Sequence, residues 1–254
     1  FWRILRRFGK FLNVGCIGRN FGRIGRMKDS SSALDSYGSL LSNAPSLAII
    51  RAVLAMIHHE RSARKIKFSD FAKDKWVVMF SHPADFTPVC TTEMSGFAQR
   101  KGEFDALNTE LLGLSIDSIH AHLGWVQNVR ENTGVYFDFP IIADLDMKVS
   151  KRYGMLQPNE SETAAVRAVF FIDPSKKIRL IMYYPLNVGR NMNEILRSLE
   201  ALQTSDKNGV AMPLDWKKGD KVIVGPPKTL DELNERLADD SLEKVDWYLA
   251  KKNI

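Results

Sequence analysis

Cys90 is the residue of this sequence whose surroundings best suit nucleophilic chemistry. It follows Thr87 by three positions and Pro88 by two, in the stretch HPADFTPVC. Proline suits the first turn of a helix because its φ is fixed and it lacks an N–H, so we predict a helix capped by Thr87 with Cys90 as its third residue. Free N–H groups and the dipole at a helix start stabilise a thiolate, which is the reactive form of cysteine.

Two further residues have the chemistry to act with such a thiolate, and two prolines would shape its surroundings. Thr87 carries a hydroxyl one helical turn before the sulfur and is placed to donate a hydrogen bond to the thiolate or to an incoming oxygen. Arg167 is the second residue of the otherwise apolar stretch VRAVFFI, where a charge is unusual, and its guanidinium can extend toward Cys90. Pro83 and Pro88 would shape the loop and shield the sulfur. These residues alone leave open that Cys90 is an inert core thiol, since free cysteine is commonly buried.

The elements that must position these side chains alternate between strands and helices over residues 65–204, which predicts an α/β fold with helices covering a sheet. A strand over 76–81 leads into the Pro-rich turn, and a helix over 88–107 follows it. The turn DPSKK predicts that the last two strands form an antiparallel hairpin. The other predicted strands are 111–117, 139–143, 166–172 and 178–183, and the other predicted helices are 118–132, 147–153 and 191–203.

The two ends of the chain differ from this central domain. Residues 205–254 predict a separate unit, with a loop and strand (VAMPLDWKKGDKVIVGPP) and then a charged helix capped by Thr229. Residues 1–64 are Arg- and Ser-rich, with no acidic residue before Asp29, which is typical of a targeting segment. A disordered arm and a mis-joined gene product remain alternatives. Residues 46–59 predict a packed or interfacial helix, because about 14 residues containing Arg51 are too few to span a membrane.

Charge and cysteine content exclude several classes of protein. The net charge is +6, but residues 1–65 hold 12 Lys or Arg against 3 Asp or Glu, so the remainder is slightly acidic and we predict no nucleic-acid binding. Cys16 and Cys90 are the two cysteines of the chain, too few for a disulfide-stapled secreted fold, which indicates a reducing, intracellular setting. Neither has the spacing of a zinc site, and His58 and His59 have no nearby cysteine, so we predict no metal.

The stretch FSHPADFTPVCTTE, residues 80–93, resembles the active-site segment of the peroxiredoxins, whose pattern P-x-x-x-T-x-x-C is matched by Pro83, Thr87 and Cys90. The form HPADFT, with VRAVFFIDPSKKIRLIMYYPLNVGRNMNEILR and VAMPLDWKKGDKVIV downstream, is most similar to the 1-Cys subgroup. The resemblance runs from about Ile66 to Pro227. It implies a thioredoxin-like fold with a small C-terminal peroxiredoxin-type domain.

This resemblance implies a role for each residue that matches the motif. Cys90 would be the peroxidatic nucleophile and Thr87 would orient the peroxide. Pro83 would shield the pocket, and Arg167 would stabilise the thiolate and the transition state.

Three supporting residues follow from the same resemblance. His82 matches the subgroup's histidine beside the site. Glu93 and Arg190 match polar residues that orient the central arginine, although each could equally be an ordinary exposed charge. The chain would then act on peroxides as a homodimer.

The reaction implied is reduction of hydrogen peroxide or an organic hydroperoxide, in which Cys90 becomes a sulfenic acid and water or an alcohol leaves. Two-cysteine relatives carry a resolving cysteine in the C-terminal region, which has none here. The resemblance therefore implies an external thiol such as glutathione as reductant, and no bound cofactor. Resolution by Cys16 is the alternative.

The sequence also departs from the family pattern. The short hairpin that precedes the region matching Ile66 has no recognised counterpart in residues 1–65. Where some members carry a lipase-like G-x-S-x-G segment, this chain reads KDKWV over residues 73–77, and Ser69 replaces the assisting histidine, so we predict no phospholipase A2 activity.

Two other classes of function compete with a peroxidase. A thioredoxin-fold binding or chaperone-like protein without turnover would share the fold and the cysteine. A protein disulfide oxidoreductase is disfavoured because Cys90 is followed by TTE rather than by a C-x-x-C partner. We expect a cytoplasmic location, with mitochondria as the alternative if residues 1–64 are a transit peptide.

Overall fold

The computed structural model describes residues 56–57, 63–64 and 66–254. Cys16 and most of the predicted segment 1–64 lie outside these residues. Within the described part of the chain, no helix combines the length and the apolar character that crossing a membrane requires.

A five-stranded sheet forms the centre of the fold. Its strands are β3 (Trp76–Ser81), β4 (Thr109–Ser115), β5 (Ile141–Ala143), β6 (Arg167–Ile172) and β7 (Ile178–Tyr184). Their order across the sheet is β5-β4-β3-β6-β7, with β3, β4 and β5 mutually parallel and β6 and β7 antiparallel to their neighbours. The predicted α/β fold and its terminal hairpin are therefore confirmed.

Helices cover both faces of this sheet. They are α1 (Phe68–Phe71), α2 (Pro88–Gln99), α3 (Lys101–Ala106), α4 (Ile119–Thr133), α5 (Lys148–Arg152) and α6 (Met192–Asn208). Buried side chains of α2, α4 and α6 pack on one face, and those of α1 and α5 pack on the other. Because both faces are covered, every residue of β3 and β6 is buried.

The pairing of β3 with β6 determines where the candidate site forms. Val77 pairs with Ile172 and Phe80 with Val169, so the end of β3 lies beside the start of β6. The loop after β3 leads into α2, which carries Cys90. Arg167, 77 positions further along the chain, is thereby brought to the same edge of the fold.

One predicted helix is in fact two. The chain breaks between α2 and α3 at Arg100, whose guanidinium donates to Glu103 through two nitrogens and to Asn193 Oδ1 on α6. Gly102, a weak helix former, follows the break. The prediction of one continuous helix over 88–107 is therefore wrong, because the hydrogen bond from Arg100 to Asn193 on α6 favours a break at this point.

Residues before Ile66 also differ from expectation. β1 (Met56–Ile57) and β2 (Ala63–Arg64) pair as a short antiparallel hairpin. The predicted helix over residues 46–59 is wrong at Met56–Ile57, because a short apolar stretch fits either structure and these two residues pair as a strand; the rest of that helix lies outside the described residues. A short hairpin is thus present before Ile66, where the sequence showed no recognised counterpart of one.

The C-terminal unit contains more sheet than the sequence predicted. β8 (Val222–Val224), β9 (Glu243–Asp246) and β10 (Leu249–Lys252) form a sheet of order β8-β10-β9, whereas only the first of these strands was predicted. The charged helix α7 (Leu230–Ala238) is capped by the Thr229 hydroxyl, as expected. Trp216 packs with Val210 and Val222 in a small apolar cluster of this unit.

Candidate active site

Cys90 lies in the first turn of α2, as predicted. Thr87 is the N-cap residue with extended backbone (φ −111°, ψ 148°), and Pro88 is the first helical residue. The thiol of Cys90 is free and fully buried. Because its neighbours in the core include Phe80 and Met94, the sulfur stands between the positive start of a helix and an apolar cluster.

Arg167 is a charged residue in contact with this sulfur. Its Nη1 lies 3.3 Å from Cys90 Sγ, and its Nε donates to the carbonyl of Leu186 at 2.9 Å. Side chains alternate along β6, so Arg167 shares a face with Val169 and Phe171, both members of the apolar cluster that contains Cys90. The charge that looked misplaced in the sequence is thus buried against the thiol.

Glu93 and Arg190 complete a buried network behind Arg167. Glu93 Oε2 accepts from Arg167 Nη1 at 2.7 Å and from Arg190 Nη2 at 2.8 Å, and Oε1 accepts from Arg190 Nε at 2.9 Å. Arg190 Nη1 also donates to the carbonyls of Ser81 and Ala168. Both side chains are almost wholly buried, so the alternative that they are ordinary exposed charges is wrong.

The buried network carries a net positive charge beside the Cys90 sulfur. Burial alone would raise the pKa of Glu93, but the charges and hydrogen bonds of Arg190 and Arg167 hold it below the ordinary value, so the carboxylate is ionised. Two guanidinium groups and one carboxylate leave one net positive charge in a buried site. A thiolate at Cys90 would neutralise this charge, and hydrogen bonds from a guanidinium are of the strong, charge-assisted kind.

The loop before α2 holds Thr87 and Pro83. The Thr87 hydroxyl donates to the carbonyl of Ala84 at 2.8 Å, so its single hydrogen must rotate before it can reach a bound substrate. Pro83 is partly buried in the same loop. Phe86 has a positive φ of 56°, a conformation that strains an aromatic residue, which shows how tightly this loop is constrained.

His82 lies at the other end of this loop and is fully buried. Its Nε2 is 2.8 Å from Asp85 Oδ1, while Asp85 Oδ2 is 2.6 Å from His122 Nδ1. The ring of His82 also packs near that of Trp125, with centroids 5.0 Å apart. Sequence reasoning missed Asp85 and His122.

A usable signal for His122 was present in the sequence. Within the predicted helix over 118–132, His122 occupies the same stripe as Ile119, Trp125 and Val129, so a polar residue interrupts an apolar face. Such a residue needs a buried partner. The partner, Asp85, lies 37 positions away and could not be inferred locally.

The His82, Asp85 and His122 side chains form a hydrogen-bonded group. Two ligands of one zinc ion, each about 2.0–2.2 Å from it, stand more than about 3 Å apart in a tetrahedral site. The separations of 2.8 and 2.6 Å are shorter and match charge-assisted hydrogen bonds.

Comparison with known proteins shows similarity to one family over most of the described chain. The family model described as the AhpC/TSA family matches residues 52–181, and the model of the C-terminal domain of 1-Cys peroxiredoxin matches residues 201–239. The first match begins at residue 52, within the N-terminal segment 1–64.

Two relatives illustrate the similarity. Peroxiredoxin 2 of Caldanaerobacter subterraneus subsp. tengcongensis is 53% identical over 190 residues, which cover 74% of this chain and 86% of that protein. The peroxiredoxin of Aquifex aeolicus is 48% identical over 199 residues, covering 74% of this chain and 89% of that protein.

Solved structures show the same likeness. A yeast mitochondrial 1-Cys peroxiredoxin superposes with a TM-score of 0.68 at 43% identity, covering 75% of this chain and 92% of its own. A cysteine-to-serine mutant of peroxiredoxin 6 from Arenicola marina gives a TM-score of 0.68 at 36% identity, and the match covers 75% of this chain and 90% of that one. With its thioredoxin-like fold, its buried Cys90–Arg167 contact and these matches, the chain belongs to the peroxiredoxin family, carries the C-terminal domain of the 1-Cys subgroup, and is a thiol-dependent peroxidase.

Proposed function

We propose that Cys90 reduces hydrogen peroxide and organic hydroperoxides by a one-cysteine mechanism and is regenerated by an external thiol. The observation that carries this proposal is the 3.3 Å contact between Cys90 Sγ and Arg167 Nη1 in a buried site. A guanidinium placed there stabilises the thiolate before the reaction and the charge that develops on the peroxide oxygens during it.

In the first step the Cys90 thiolate attacks one peroxide oxygen. An S–O bond forms, the O–O bond breaks, and the sulfur loses two electrons to become a sulfenic acid. The departing oxygen takes up a proton and leaves as water or an alcohol. Thr87 would orient the peroxide through its hydroxyl, Pro83 would limit access of water, and Arg167 would stabilise the transition state, held in place by Glu93 and Arg190.

In the second step a small thiol, with glutathione as the candidate, restores Cys90. Its thiolate attacks the sulfenic sulfur, water leaves and a mixed disulfide forms. A second thiol molecule then attacks this disulfide and releases the oxidised reductant. The absence of cysteine from residues 91–254 supports this route, and Cys16 stays the alternative resolving residue. No bound cofactor is needed for either step.

We propose further that the protein is a homodimer and acts in the cytoplasm, or in mitochondria if residues 1–64 are a transit peptide. β7 is the last strand in the order of the described sheet, a position at which the sheets of two copies can meet. The scarcity of cysteine supports a reducing compartment. Sedimentation would test the dimer, and mass spectrometry of the native N-terminus would test for cleavage near Arg64.

The central experiment is titration of the reduced protein with one equivalent of hydrogen peroxide. Wild type should lose one thiol per chain and gain one oxygen atom at Cys90, and Cys16→Ser should behave in the same way. Cys90→Ser should consume no peroxide. Glutathione should then yield a mixed disulfide on Cys90, whereas a Cys16–Cys90 disulfide would establish the alternative resolution.

A binding protein without turnover is separated by the same experiment. It would share the fold but would not consume peroxide over repeated additions in the presence of glutathione. Peroxide consumption that continues unchanged in Cys90→Ser would contradict the proposed mechanism.

A further inference from the structure

His82 lies on the same side of the sheet as Cys90. Along β3, Met79 packs into the apolar cluster of the opposite face, while Phe80 packs into the cluster that contains Cys90. The chain stays extended after Ser81, because the His82 N–H continues the β ladder to the carbonyl of Leu114 at 2.9 Å. His82, two residues after Phe80, therefore points to the Cys90 face. Its contact with Trp125, a member of that cluster, agrees.

Asp85 determines which nitrogen of His82 carries the hydrogen. Burial raises the pKa of Asp85, but its hydrogen bonds to His122 and His82 hold it below the ordinary value, so the carboxylate is ionised. An ionised carboxylate can only accept, and His82 Nε2 must donate to it. Burial lowers the pKa of His82 despite Asp85, which leaves a neutral ring with its lone pair on Nδ1.

This lone pair lacks a partner within the described part of the chain. His82 Nδ1 is buried, and none of the described residues donates a hydrogen bond to it. A buried polar atom without a partner costs free energy and is uncommon in folded proteins, which points to a donor that is present only at some stage of the reaction. Peroxide chemistry at Cys90 supplies two such donors, the hydrogen of the hydroperoxide and the hydrogen of the cysteine sulfenic acid.

His122 holds Asp85 from the opposite side. Its Nδ1 donates to Asp85 Oδ2 at 2.6 Å, and its Nε2 lies 3.3 Å from the carbonyl oxygen of Ile142, which also can only accept. The Nδ1–H of His122 therefore fixes the second oxygen of the Asp85 carboxylate, opposite the oxygen that accepts from His82. The Asp85 N–H donates to Asp117 Oδ2 at 3.0 Å and fixes the loop.

We propose that Asp85 and His122 are positioning residues, which hold His82 in the Nε2–H tautomer so that its Nδ1 serves as a hydrogen-bond acceptor for the reaction at Cys90. Their link to the site runs through the hydrogen bond between Asp85 and His82. The inference rests on the proposed function, because it assigns a task within that reaction. The titratable and charged groups that face His82 are Asp85, His122 and Arg190.

The first test is the tautomer of His82 in the wild-type protein. Imidazole ¹⁵N chemical shifts in histidine-labelled reduced protein distinguish Nε2–H from Nδ1–H, and the signals that disappear in His82→Gln belong to His82. We expect the Nε2–H form. An Nδ1–H form would overturn the proposal without any variant having to fold.

The second test is Asp85→Asn, which keeps the shape of the side chain but offers only one accepting oxygen. Where the amide nitrogen faces His82, the ring hydrogen must move from Nε2 to Nδ1 and the free acceptor is lost. We expect the rate constant for Cys90 oxidation by hydrogen peroxide to fall about 10- to 100-fold, the usual effect of removing a group that orients a functional imidazole. The ¹⁵N signals of His82 should change at the same time.

Asp144→Asn is the matched control, because Asp144 is a buried carboxylate that accepts from the N–H groups of Val149 and Ser150 and lies outside the histidine group. The rate constant for Cys90 oxidation in Asp144→Asn should stay within about twofold of wild type. The substitution removes hydrogen bonds that stabilise the fold but does not touch the histidine group. His122→Asn, which keeps an N–H near the position of Nδ1, should retain more activity than His122→Leu.

The outcomes separate the two proposals. If wild type itself fails to consume peroxide, or if Cys90→Ser matches it, the proposed function fails. If wild type reacts but folded Asp85→Asn matches its rate, or if His122→Asn and His122→Leu are equally slow, the positioning role is wrong while the peroxidase mechanism stands.

Discussion

Arg190 forms a bidentate ion pair with Glu93, in which Nε donates to Oε1 at 2.9 Å and Nη2 donates to Oε2 at 2.8 Å. The same fork recurs on the surface, where Arg100 donates to Glu103 through Nε and Nη2. The difference is burial: the first pair is nearly inaccessible to water and the second is substantially exposed. Of these two forks, the buried one also contacts the arginine that touches Cys90.

We therefore expect Arg190→Lys to slow Cys90 oxidation by hydrogen peroxide about tenfold or more, because lysine keeps the charge but cannot form the fork that orients Glu93. Stopped-flow measurement of thiol loss would give the rate constant. Arg100→Lys is the control and should react at the wild-type rate. Equal rates in all three proteins would show that the fork has no part in positioning Arg167.

Arg167→Gln should lower the same rate constant about 10²- to 10³-fold, the range found when a group that stabilises developing charge is removed from an enzyme. The reason is its contact with the sulfur at 3.3 Å. Arg179→Gln removes an arginine paired with Asp206 at the surface and should have little effect. A rate in Arg167→Gln within a factor of two of wild type would contradict the assignment.

Glu93 should make the free energy of unfolding depend on pH in acid. The pKa of Glu93 in the folded protein lies below the ordinary value of 4.5. Its contribution to the free energy of unfolding is therefore complete above pH 4.5 and is lost as the pH falls through the folded-state pKa. Denaturant titrations between pH 7 and pH 3 should show stability declining in wild type and declining less steeply in Glu93→Gln.

The same variant should also be less stable at pH 7, by about 3–5 kcal/mol, because two buried guanidinium groups lose their carboxylate. Glu103→Gln, at the exposed pair, is the control for both measurements: Arg100 also lowers the pKa of Glu103, but water screens this pair, so the pH slope should change far less than in Glu93→Gln. A Glu93→Gln slope as steep as that of wild type would assign the acid sensitivity to other groups.

Phospholipase A2 activity should be absent. Residues 73–75 form the turn before β3 and supply no serine, and Ser69 is exposed on α1 with its hydroxyl directed to Asp70. Purified protein incubated with phospholipid vesicles should release no fatty acid above buffer. Release that follows the protein through purification would contradict this expectation.

Local sequence was sufficient for the start of α2. Thr87 at the N-cap position, Pro88 at the first helical position and Cys90 two residues later belong to a single turn, so their arrangement needed no distant partner, although the Thr87 hydroxyl makes no capping hydrogen bond. The strand Trp76–Ser81 and the hairpin around DPSKK were predictable for the same reason. The motif with Pro83, Thr87 and Cys90 also carried the resemblance to the peroxiredoxins.

The tertiary structure decided what surrounds the sulfur. Antiparallel pairing of β3 with β6 brings Arg167 to Cys90, and burial turns Glu93 and Arg190 from ordinary charges into a single network. Asp85 meets His122 across 37 positions. Such contacts depend on the pairing of whole elements and on the loss of water around charges, and neither is encoded in the spacing of neighbouring residues.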